Sequence, residues 1–278
     1  GTVGARGDAG TLLTRMAYVF GTSACTMTST RKPTFVKGVW GPYFSAMVPG
    51  LWLNEGGQSA AGAAIDTLVR RHPAAPQAEA AAKAAGMSLS QFLSGEAEKR
   101  GGAAALKRLV GELHVVPEFL GNRAPFADPD ALGIIAGVGM DADIDSLVGF
   151  YLAGMCGLGY GARQIVEAER ESGIAIEAMV VSGGAGQSAL SRQLLADSTG
   201  LAVAASTSQE PVLLGASMLG AVAGGAFPDL ETAMVEMAEL GAVHRPSPAT
   251  GGWHRHRFEA FELLQKAGRA IRAPARQN

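Results

Sequence analysis

The stretch MVVSGGAGQSAL, residues 179–190, carries the most specific local pattern in the chain. An apolar strand ends in Gly183-Gly184-Ala185-Gly186, and a helix is predicted to follow at once. Glycines at such a turn let a ligand approach the backbone, and the start of the helix offers free N–H groups at the positive end of its dipole. The stretch therefore predicts a ligand-binding turn or, as the simpler alternative, close packing of a strand on a helix.

Strands and helices alternate along the rest of the chain. Strands are predicted at residues 16–20 and 24–29, and LAVAAS, residues 201–206, predicts another after the glycine turn. The Ala-rich residues 72–112 predict a peripheral helical excursion. The remaining predicted helices cover residues 57–71, 144–171, 211–224, 230–240 and 252–272. This alternation is typical of the α/β class.

Composition limits the classes of function. The 278 residues carry a net charge of −2 and no block of Lys or Arg, which argues against nucleic acid as the main partner. No signal peptide is recognisable, and no apolar run reaches the roughly 18–20 residues that a membrane span requires. We therefore expect a cytoplasmic protein without a membrane partner.

A second glycine turn lies in AYVFGTSACTMTST, residues 17–30. Gly21-Thr22-Ser23, placed between two predicted strands, can present backbone N–H groups and two hydroxyls to an anion. A hydrogen bond to a charged group contributes about 1.5–3 kcal/mol, so Thr22 could add measurably to nucleotide affinity. Read alone, the same residues also fit an ordinary β-turn with solvated hydroxyls.

The first glycine turn also fits a dinucleotide-binding alternative. Gly184-x-Gly186-x-x-Ala189 matches the loose fingerprint of such sites in a strand–turn–helix context. That class requires an acidic residue at the end of the next strand to hold a ribose, and LAVAASTS ends without one. A Walker-type loop, GxxxxGK[ST], does not occur in the sequence. A dinucleotide-binding oxidoreductase domain is therefore the lesser alternative.

Several motifs, taken in order, resemble one family. VFGTSACTM, residues 19–27, resembles the second phosphate motif of the FGGY carbohydrate kinases, and residues 180–225 resemble their adenosine motif. FLGNRAPFADPDALGIIAG, residues 119–137, is similar to their loop F-x-G-x-R-x-P-x-x-D-P-x-A-x-G. The helix that begins in NEGGQSAAGAAID, residues 54–66, completes the resemblance. It implies an α/β, actin-like ATPase (ribonuclease H-like) fold, with the chain as the second lobe of a sugar kinase.

The resemblance also implies an activity. FGGY kinases transfer the γ-phosphoryl group of ATP to a primary hydroxyl of an open-chain sugar, with Mg²⁺ held mainly through the nucleotide phosphates. GVWGPYFSAMVPGLWLNEGGQSAAG, residues 38–62, most resembles the pentulose and pentitol branch, which is ribulokinase-like. The implied partners are ATP and a sugar substrate bound through a separate N-terminal lobe. A non-catalytic nucleotide-sensing module of the actin-like fold is a further alternative.

The resemblance assigns roles to residues in three motifs. Thr22 would bind the β- and γ-phosphates, with Gly21 and Ser23 shaping its turn. Gly62 would let a helix pass close to the nucleotide. Asp66, one turn later on that helix, would lie near the adenosine, although family members often carry an amide there.

The glycine turn at residues 183–186 is expected to hold the nucleoside. By resemblance, Gly184 and Ala185 would lie against the adenine and ribose, with Gly183 in the same binding turn. Ser188 would make a polar contact in the region of the base.

The resemblance further predicts how the chain is organised. Residues 1–278 are expected to form the C-terminal nucleotide-binding lobe, with residues 1–12 as the tail of a preceding lobe. GTVGARG, residues 1–7, resembles the stretch directly after the family's D-x-H-A-G-like segment, which carries the catalytic aspartate. We therefore expect the base upstream of Gly1 and no sugar turnover by this fragment. An exposed apolar, glycine-rich cleft face would favour a homodimer.

Other polar residues receive structural predictions. Glu210 is expected to cap the helix that follows it or to interact with the dipole of that helix. Arg123 and Asp128, in a turn-rich loop, are expected to form a structural pair. His254 and His256 are two apart on a predicted helix and face different sides, so a metal held by protein ligands alone is not expected.

Overall fold

A mixed six-stranded sheet is the scaffold of the chain. The computed structural model describes residues 2–272, without the side chains of Thr2, Ala185 and Gln187. The strands are β1 (Arg15–Phe20), β2 (Ala24–Thr30), β3 (Trp40–Phe44), β4 (Trp52–Gln58), β5 (His114–Val116), β6 (Ile134–Ala136), β7 (Ala178–Ser182) and β8 (Ala202–Ala205). The six-stranded sheet has the order β3-β4-β2-β1-β7-β8, and β5 and β6 form a separate pair. β1 pairs antiparallel with β2 and parallel with β7.

Helices cover both faces of this sheet. They are α1 (Gly62–Val69), α2 (Ala75–Ala84), α3 (Leu89–Lys99), α4 (Leu106–Val110), α5 (Ile144–Glu171), α6 (Ala189–Thr199), α7 (Pro211–Ala223), α8 (Leu230–Met237) and α9 (Pro248–Arg272). Because successive side chains of a strand point to opposite faces, the sheet separates two apolar clusters. Tyr18 of β1 packs with Leu152 of α5 in one cluster, and Val180 of β7 packs with Met218 and Met234 of α7 and α8 in the other.

Helix α5 is the central helix of the larger cluster, and its glycines explain how closely it packs. A Cβ at Gly157 would lie 2.4 Å from the carbonyl oxygen of Val115, and one at Gly159 would lie 1.8 Å from the Oγ of Ser198. The predicted bounds, 144–171, are those observed. In residues 2–272, α5 and the other helices all fall short of the length and apolarity that a membrane-spanning helix needs.

The segment before β1 is fastened by one buried arginine. The Arg15 guanidinium donates hydrogen bonds of 2.5–3.0 Å to the carbonyl oxygens of Val3, Ala5, Gly7 and Ala9. Residues 3–9 therefore wrap around this side chain and pack on the cluster beneath α7 and α8.

The predicted helix at residues 57–71 begins too early. Gly57 and Gln58 belong to β4, and α1 begins at Gly62. Gly57 has a φ of +148°, and its missing Cβ would lie 2.2 Å from the carbonyl oxygen of Ala24 on β2. Gly57, which the sequence placed at the start of a helix, is therefore required by the pairing of β4 with β2. At the other end of the chain, α8 ends at Met237 and α9 begins at Pro248, against predictions of 240 and 252.

The helical excursion is present, but the prediction that it is peripheral is wrong. Ala78 of α2, Leu93 and Ala97 of α3, and Leu106 of α4 are buried in the same cluster as the central sheet. Helix α3 packs on α5 and α6. This part of the chain is therefore a wall of the core, and it also shapes the cavity described next.

Candidate functional site

A cavity of about 780 Å³ opens where the β1–β2 turn, α1, α3, α5 and the glycine turn before α6 meet. Six of the nine predicted nucleotide-binding residues line it: Gly21, Thr22, Gly62, Asp66, Gly184 and Ser188. These residues are spread over 168 positions of sequence, from 21 to 188, and only the fold brings them together. Of the others, Ser23 and Gly183 lie in the flanking turns outside the lining, and the side chain of Ala185 lies outside the described residues.

The β1–β2 turn is held to the start of α1 by its carbonyl oxygens. Gly21 accepts a hydrogen bond of 2.9 Å from the N–H of Gly62, and Thr22 accepts bonds from the N–H groups of Ala61 (2.8 Å) and Ala63 (3.2 Å). A Cβ at Gly62 would lie 2.9 Å from the carbonyl oxygen of Gly21. The close helix passage predicted at Gly62 is therefore a close approach of α1 to this turn.

The β1–β2 turn leaves the Thr22 hydroxyl available to a ligand, but one of its backbone N–H groups is already hydrogen-bonded within the turn. Of the backbone N–H groups that the turn was expected to present, that of Gly21 already donates to the carbonyl oxygen of Ser23 at 3.0 Å. Thr22 is exposed, and its hydroxyl has no hydrogen-bond partner among residues 2–272. The Thr22 side chain is thus free to bind a ligand at the mouth of the cavity.

The three glycines of the second turn have different surroundings. Gly183 has a φ of +93°, and a Cβ there would lie 2.5 Å from the carbonyl oxygen of Phe20 at the end of β1. A Cβ at Gly186 would lie 2.3 Å from Cγ1 of Val181. Gly184 is exposed, and no atom of the described residues lies within 4 Å of its missing Cβ. Two glycines therefore serve packing, and Gly184 leaves space open to the cavity.

A hydroxyl network closes the inner end of the cavity. Ser188 caps α6 by accepting a bond of 3.3 Å from the N–H of Ser191, and its Oγ lies 3.1 Å from that of Ser94 on α3. The Tyr151 side chain of α5 lines the same part of the cavity, and burial raises the pKa of this phenol. The contact between Ser94 and Ser188 ties α3 to the start of α6.

The wall that α3 contributes to the cavity was not predicted from the sequence. Ser90, Ser94 and Glu98 line the cavity at every fourth position of α3, and Tyr151 lines it from α5. A repeat of four places polar side chains on one face of a helix. This repeat of polar side chains along α3 is the sequence pattern from which the wall of the cavity could have been predicted.

Several of the other predicted roles are corrected. Arg123 pairs with Glu55 at 2.6 Å and stacks on Trp40, whereas Asp128 pairs with Arg272 at 2.7 Å, so the predicted Arg123–Asp128 pair is replaced by two others. In both cases the partner lies on a distant segment of the chain. No local pattern could have identified it.

The helix-capping role predicted for Glu210 is half right. Glu210 occupies the N-cap position of α7, yet its side chain makes no capping hydrogen bond. Pro211 follows directly and lacks an N–H, which removes one of the donors that a cap would satisfy.

The two histidines of α9 have separate environments. His254 is buried and shares a hydrogen bond of 2.9 Å with the Tyr160 hydroxyl, while His256 is exposed. Burial, assisted by Arg257, lowers the pKa of His254 to about 4. Within residues 2–272, no three His, Cys, Asp or Glu side chains are grouped so that they could hold a metal ion.

Comparison with known proteins identifies the family. Residues 16–224 match the family described as "FGGY family of carbohydrate kinases, C-terminal domain". The chain is 40% identical over 271 residues to an FGGY carbohydrate kinase domain-containing protein of Xenopus laevis, a match that covers 96% of this chain and 49% of the relative. It is 37% identical over 218 residues to a D-ribulokinase of Saccharomyces cerevisiae, covering 77% of this chain and 30% of the relative. The chain thus spans about half the length, or less, of the curated relatives that it matches.

A solved structure supports the fold. A xylulose kinase from Brucella ovis superposes with a TM-score of 0.74 at 19% identity, over 93% of this chain and 48% of that chain. The actin-like ATPase fold expected from the sequence is therefore confirmed. The chain belongs to the FGGY family of carbohydrate kinases, and its residues 16–224 match the C-terminal domain of that family.

Proposed function

We propose that the chain is the ATP-binding part of a carbohydrate kinase that phosphorylates a primary hydroxyl of a pentulose or pentitol, with ribulose as the model substrate. The observation that carries this proposal is the cavity that joins the β1–β2 turn, α1 and the glycine turn in a chain of this family. The D-ribulokinase among its relatives supports the choice of a pentulose.

The cavity fits a nucleotide in size and lining. Its volume of about 780 Å³ lies within the range of roughly 300–1,000 Å³ that is usual for small-ligand sites. Thr22 would bind the β- and γ-phosphates at the mouth, and Gly184 would lie against the nucleoside. Mg²⁺ would be held mainly by the phosphates, whose charge it neutralises when bound.

Phosphoryl transfer also needs a group that accepts the proton of the sugar hydroxyl. We propose that this base, an aspartate by resemblance, lies on a further lobe that also binds the sugar. Closure of the two lobes would then bring both substrates together and exclude water. On this proposal the chain alone binds ATP but does not phosphorylate D-ribulose. ATP-dependent phosphorylation of D-ribulose by the chain alone would contradict this division of roles.

Thr22→Val is expected to weaken the binding of Mg·ATP about ten- to a hundredfold. Valine keeps the shape of threonine but removes the hydroxyl, and a hydrogen bond to a charged group contributes about 1.5–3 kcal/mol. Thermal unfolding should be nearly unchanged because Thr22 is exposed. Isothermal titration calorimetry with ATP and Mg²⁺ measures the effect.

The matched control is Thr67→Val on α1. Thr67 lines a separate groove beside Phe119 rather than the proposed nucleotide cavity. The Thr67→Val variant should therefore bind Mg·ATP as the wild type does. Equal affinities of the wild type and Thr22→Val would show that the phosphates do not contact this turn.

NADH provides a second control in the same titration. The dinucleotide-binding alternative predicts that NADH binds in preference to ATP, whereas the kinase proposal predicts the reverse. Strand β8 ends at Ala205 and is followed by Ser206, so this strand end offers no carboxylate for the ribose of a dinucleotide.

A further inference from the structure

We propose that helix α9 controls the position of the Arg123 guanidinium, by holding the loop of residues 118–128 against the sheet, and that Gln265 is the main positioning residue of this helix. The inference goes beyond the proposed function, since it concerns the chain whether or not a nucleotide is bound. It depends on the contacts of α9 with this loop, on the hydrogen bonds within the loop, and on the contacts of Arg123 with the sheet.

One face of α9 contacts the loop near both of its ends. Gln265 donates a hydrogen bond of 2.6 Å to Oε1 of Glu118, and Arg272 pairs with Asp128 at 2.7 Å. Between them, the Arg269 guanidinium stacks on an aromatic ring of the same loop, 4.4 Å from the ring centre. The three α9 residues are four and three positions apart, so their side chains share one face of the helix.

Hydrogen bonds within the loop link Glu118 to the residue before Arg123. The Oε1 atom of Glu118 that accepts from Gln265 also accepts a bond of 2.6 Å from Nδ2 of Asn122. The Oδ1 atom of Asn122 accepts a bond of 3.0 Å from the N–H of Phe126, and its backbone exchanges two bonds of 2.8 Å with the far end of the loop. Because both the side chain and the backbone of Asn122 are held, the next residue, Arg123, leaves the loop in a fixed direction.

The Arg123 side chain reaches three strands of the sheet. Its Nη2 donates to Oε1 of Glu55 on β4 at 2.6 Å, and its Nη1 lies 3.5 Å from Sγ of Cys25 on β2. The guanidinium also stacks on Trp40 of β3, 4.3 Å from the ring centre. Cys25 follows Thr22 by three positions, so Arg123 lies near the turn that is proposed to bind the phosphates.

The contact between Gln265 and Glu118 is sensitive to charge because it is buried. Gln265 is only 2% exposed. Burial raises the pKa of Glu118, and the amide donors of Asn122 and Gln265 oppose this shift. In Gln265→Glu two carboxyl groups would meet here without the amide donor between them, and two ionised carboxylates repel each other. The loop should then move away from α9 and take Arg123 with it.

The test measures how fast N-ethylmaleimide, an uncharged thiol reagent, alkylates each of the two cysteines at pH 8. Cys25 is half-buried next to Arg123, whereas Cys156 is buried and reports unfolding of the whole chain. In Gln265→Glu the rate at Cys25 should rise about fivefold or more, because access limits the reaction of a covered thiol, while Cys156 stays unreactive. The double variant Glu118→Gln/Gln265→Glu exchanges donor and acceptor, and its Cys25 rate should return to within about twofold of the wild type.

Lys266→Gln is the matched control, because Lys266 is the next residue of α9, is exposed, and loses the same one unit of charge. It should leave the rate at Cys25 unchanged. Arg272→Ala, which removes a partly exposed ion pair at the other end of the loop, should accelerate Cys25 alone.

Two results would overturn the inference. One is a wild-type rate at Cys25 in Gln265→Glu. The other is a parallel rise at Cys25 and Cys156 in both Gln265→Glu and Arg272→Ala, which would show that α9 stabilises the whole chain rather than positions the loop. No nucleotide is added in this experiment, so the proposed function stands whichever result is obtained.

Discussion

Gly184→Val should abolish measurable binding of Mg·ATP while leaving the stability of the chain close to that of the wild type. Among the residues that the structure describes, no atom lies within 4 Å of the missing Cβ of Gly184, and the residue is exposed, so the fold itself accommodates a side chain. Gly184 lines the proposed nucleotide cavity, so the added methyl groups would occupy space that the nucleoside needs. Calorimetric titration with Mg·ATP and a thermal unfolding curve measure the two effects separately.

The neighbouring substitution Gly183→Ala should, in contrast, lower the stability of the fold. Gly183 has a φ of +93°, which L-residues rarely adopt, and its Cβ would lie 2.5 Å from the backbone oxygen of Phe20. Backbone strain of this kind costs about 1–3 kcal/mol, and displacement of β1 adds to it. We therefore expect unfolding free energy to fall by about 3 kcal/mol, as measured by urea denaturation.

Gly251→Val is the matched control for Gly184→Val. Gly251 is exposed on α9 and lies outside the cavity lining, and no atom within residues 2–272 comes within 4 Å of its missing Cβ. It should bind Mg·ATP as the wild type does. If the Gly184→Val protein is folded and binds ATP normally, the glycine turn is not part of the nucleotide site. If the Gly183→Ala protein has the stability of the wild type, the prediction of backbone strain at Gly183 is wrong.

The second large effect is a dependence of stability on pH through Glu169. This α5 residue is fully buried beneath β2, where its Oε2 accepts a hydrogen bond of 2.7 Å from Thr28, and its Oε1 has no partner in the described part of the chain. Burial raises the pKa of Glu169 from 4.5 to about 7, a shift that the bond from Thr28 only partly offsets. The folded chain therefore keeps a proton on this carboxyl over a range in which the unfolded chain has lost it.

The sign of the effect follows from proton binding. Between pH 4.5 and about 7 the folded state binds one more proton than the unfolded state, so the Glu169 contribution falls as pH rises and becomes constant above pH 7. At about 1.4 kcal/mol per pH unit, this amounts to about 3 kcal/mol. Glu169→Gln stays neutral and keeps an acceptor for Thr28. It should therefore gain stability over the wild type as pH rises from 5 to 8.

The measurement is the difference in unfolding free energy between Glu169→Gln and the wild type at pH 5 and at pH 8. Other titrating groups cancel in that difference. Glu167→Gln is the control, because Glu167 lies two positions away on the same helix but is partly exposed and paired with Arg163. A difference that does not change with pH in Glu169→Gln would show that the buried carboxyl titrates normally.

Local patterns were sufficient for much of the fold. The β1–β2 turn, the 28-residue α5 and the strand–turn–helix at β7 and α6 lie where hydrophobic spacing and glycine positions predicted them. Each of these features depends on residues within about four positions of one another, which is the range over which a strand or helix repeats. The order of the two glycine motifs then indicated the family, and six of the predicted site residues share one cavity.

The walls of the cavity depended on contacts between distant residues. The bond between Ser94 and Ser188, which both line the cavity, joins positions 94 apart. The Ala-rich excursion was therefore mistaken for a peripheral element, although α3 packs on α5 and α6 and lines the cavity. Arg123 was likewise assigned a neighbour in its own loop, while its carboxylate partner is Glu55 on β4.

The α/β class, the central helix, the two glycine turns and the family could be predicted from the sequence, because short-range periodicity and motif order encode them. The role of each glycine became evident only in the folded chain. Gly183 and Gly184 are identical in the sequence, yet one abuts the Phe20 backbone at the end of β1 and the other faces open space. The two glycines differ because the space around a residue is set by segments far away in the chain, and these meet only once the chain has folded.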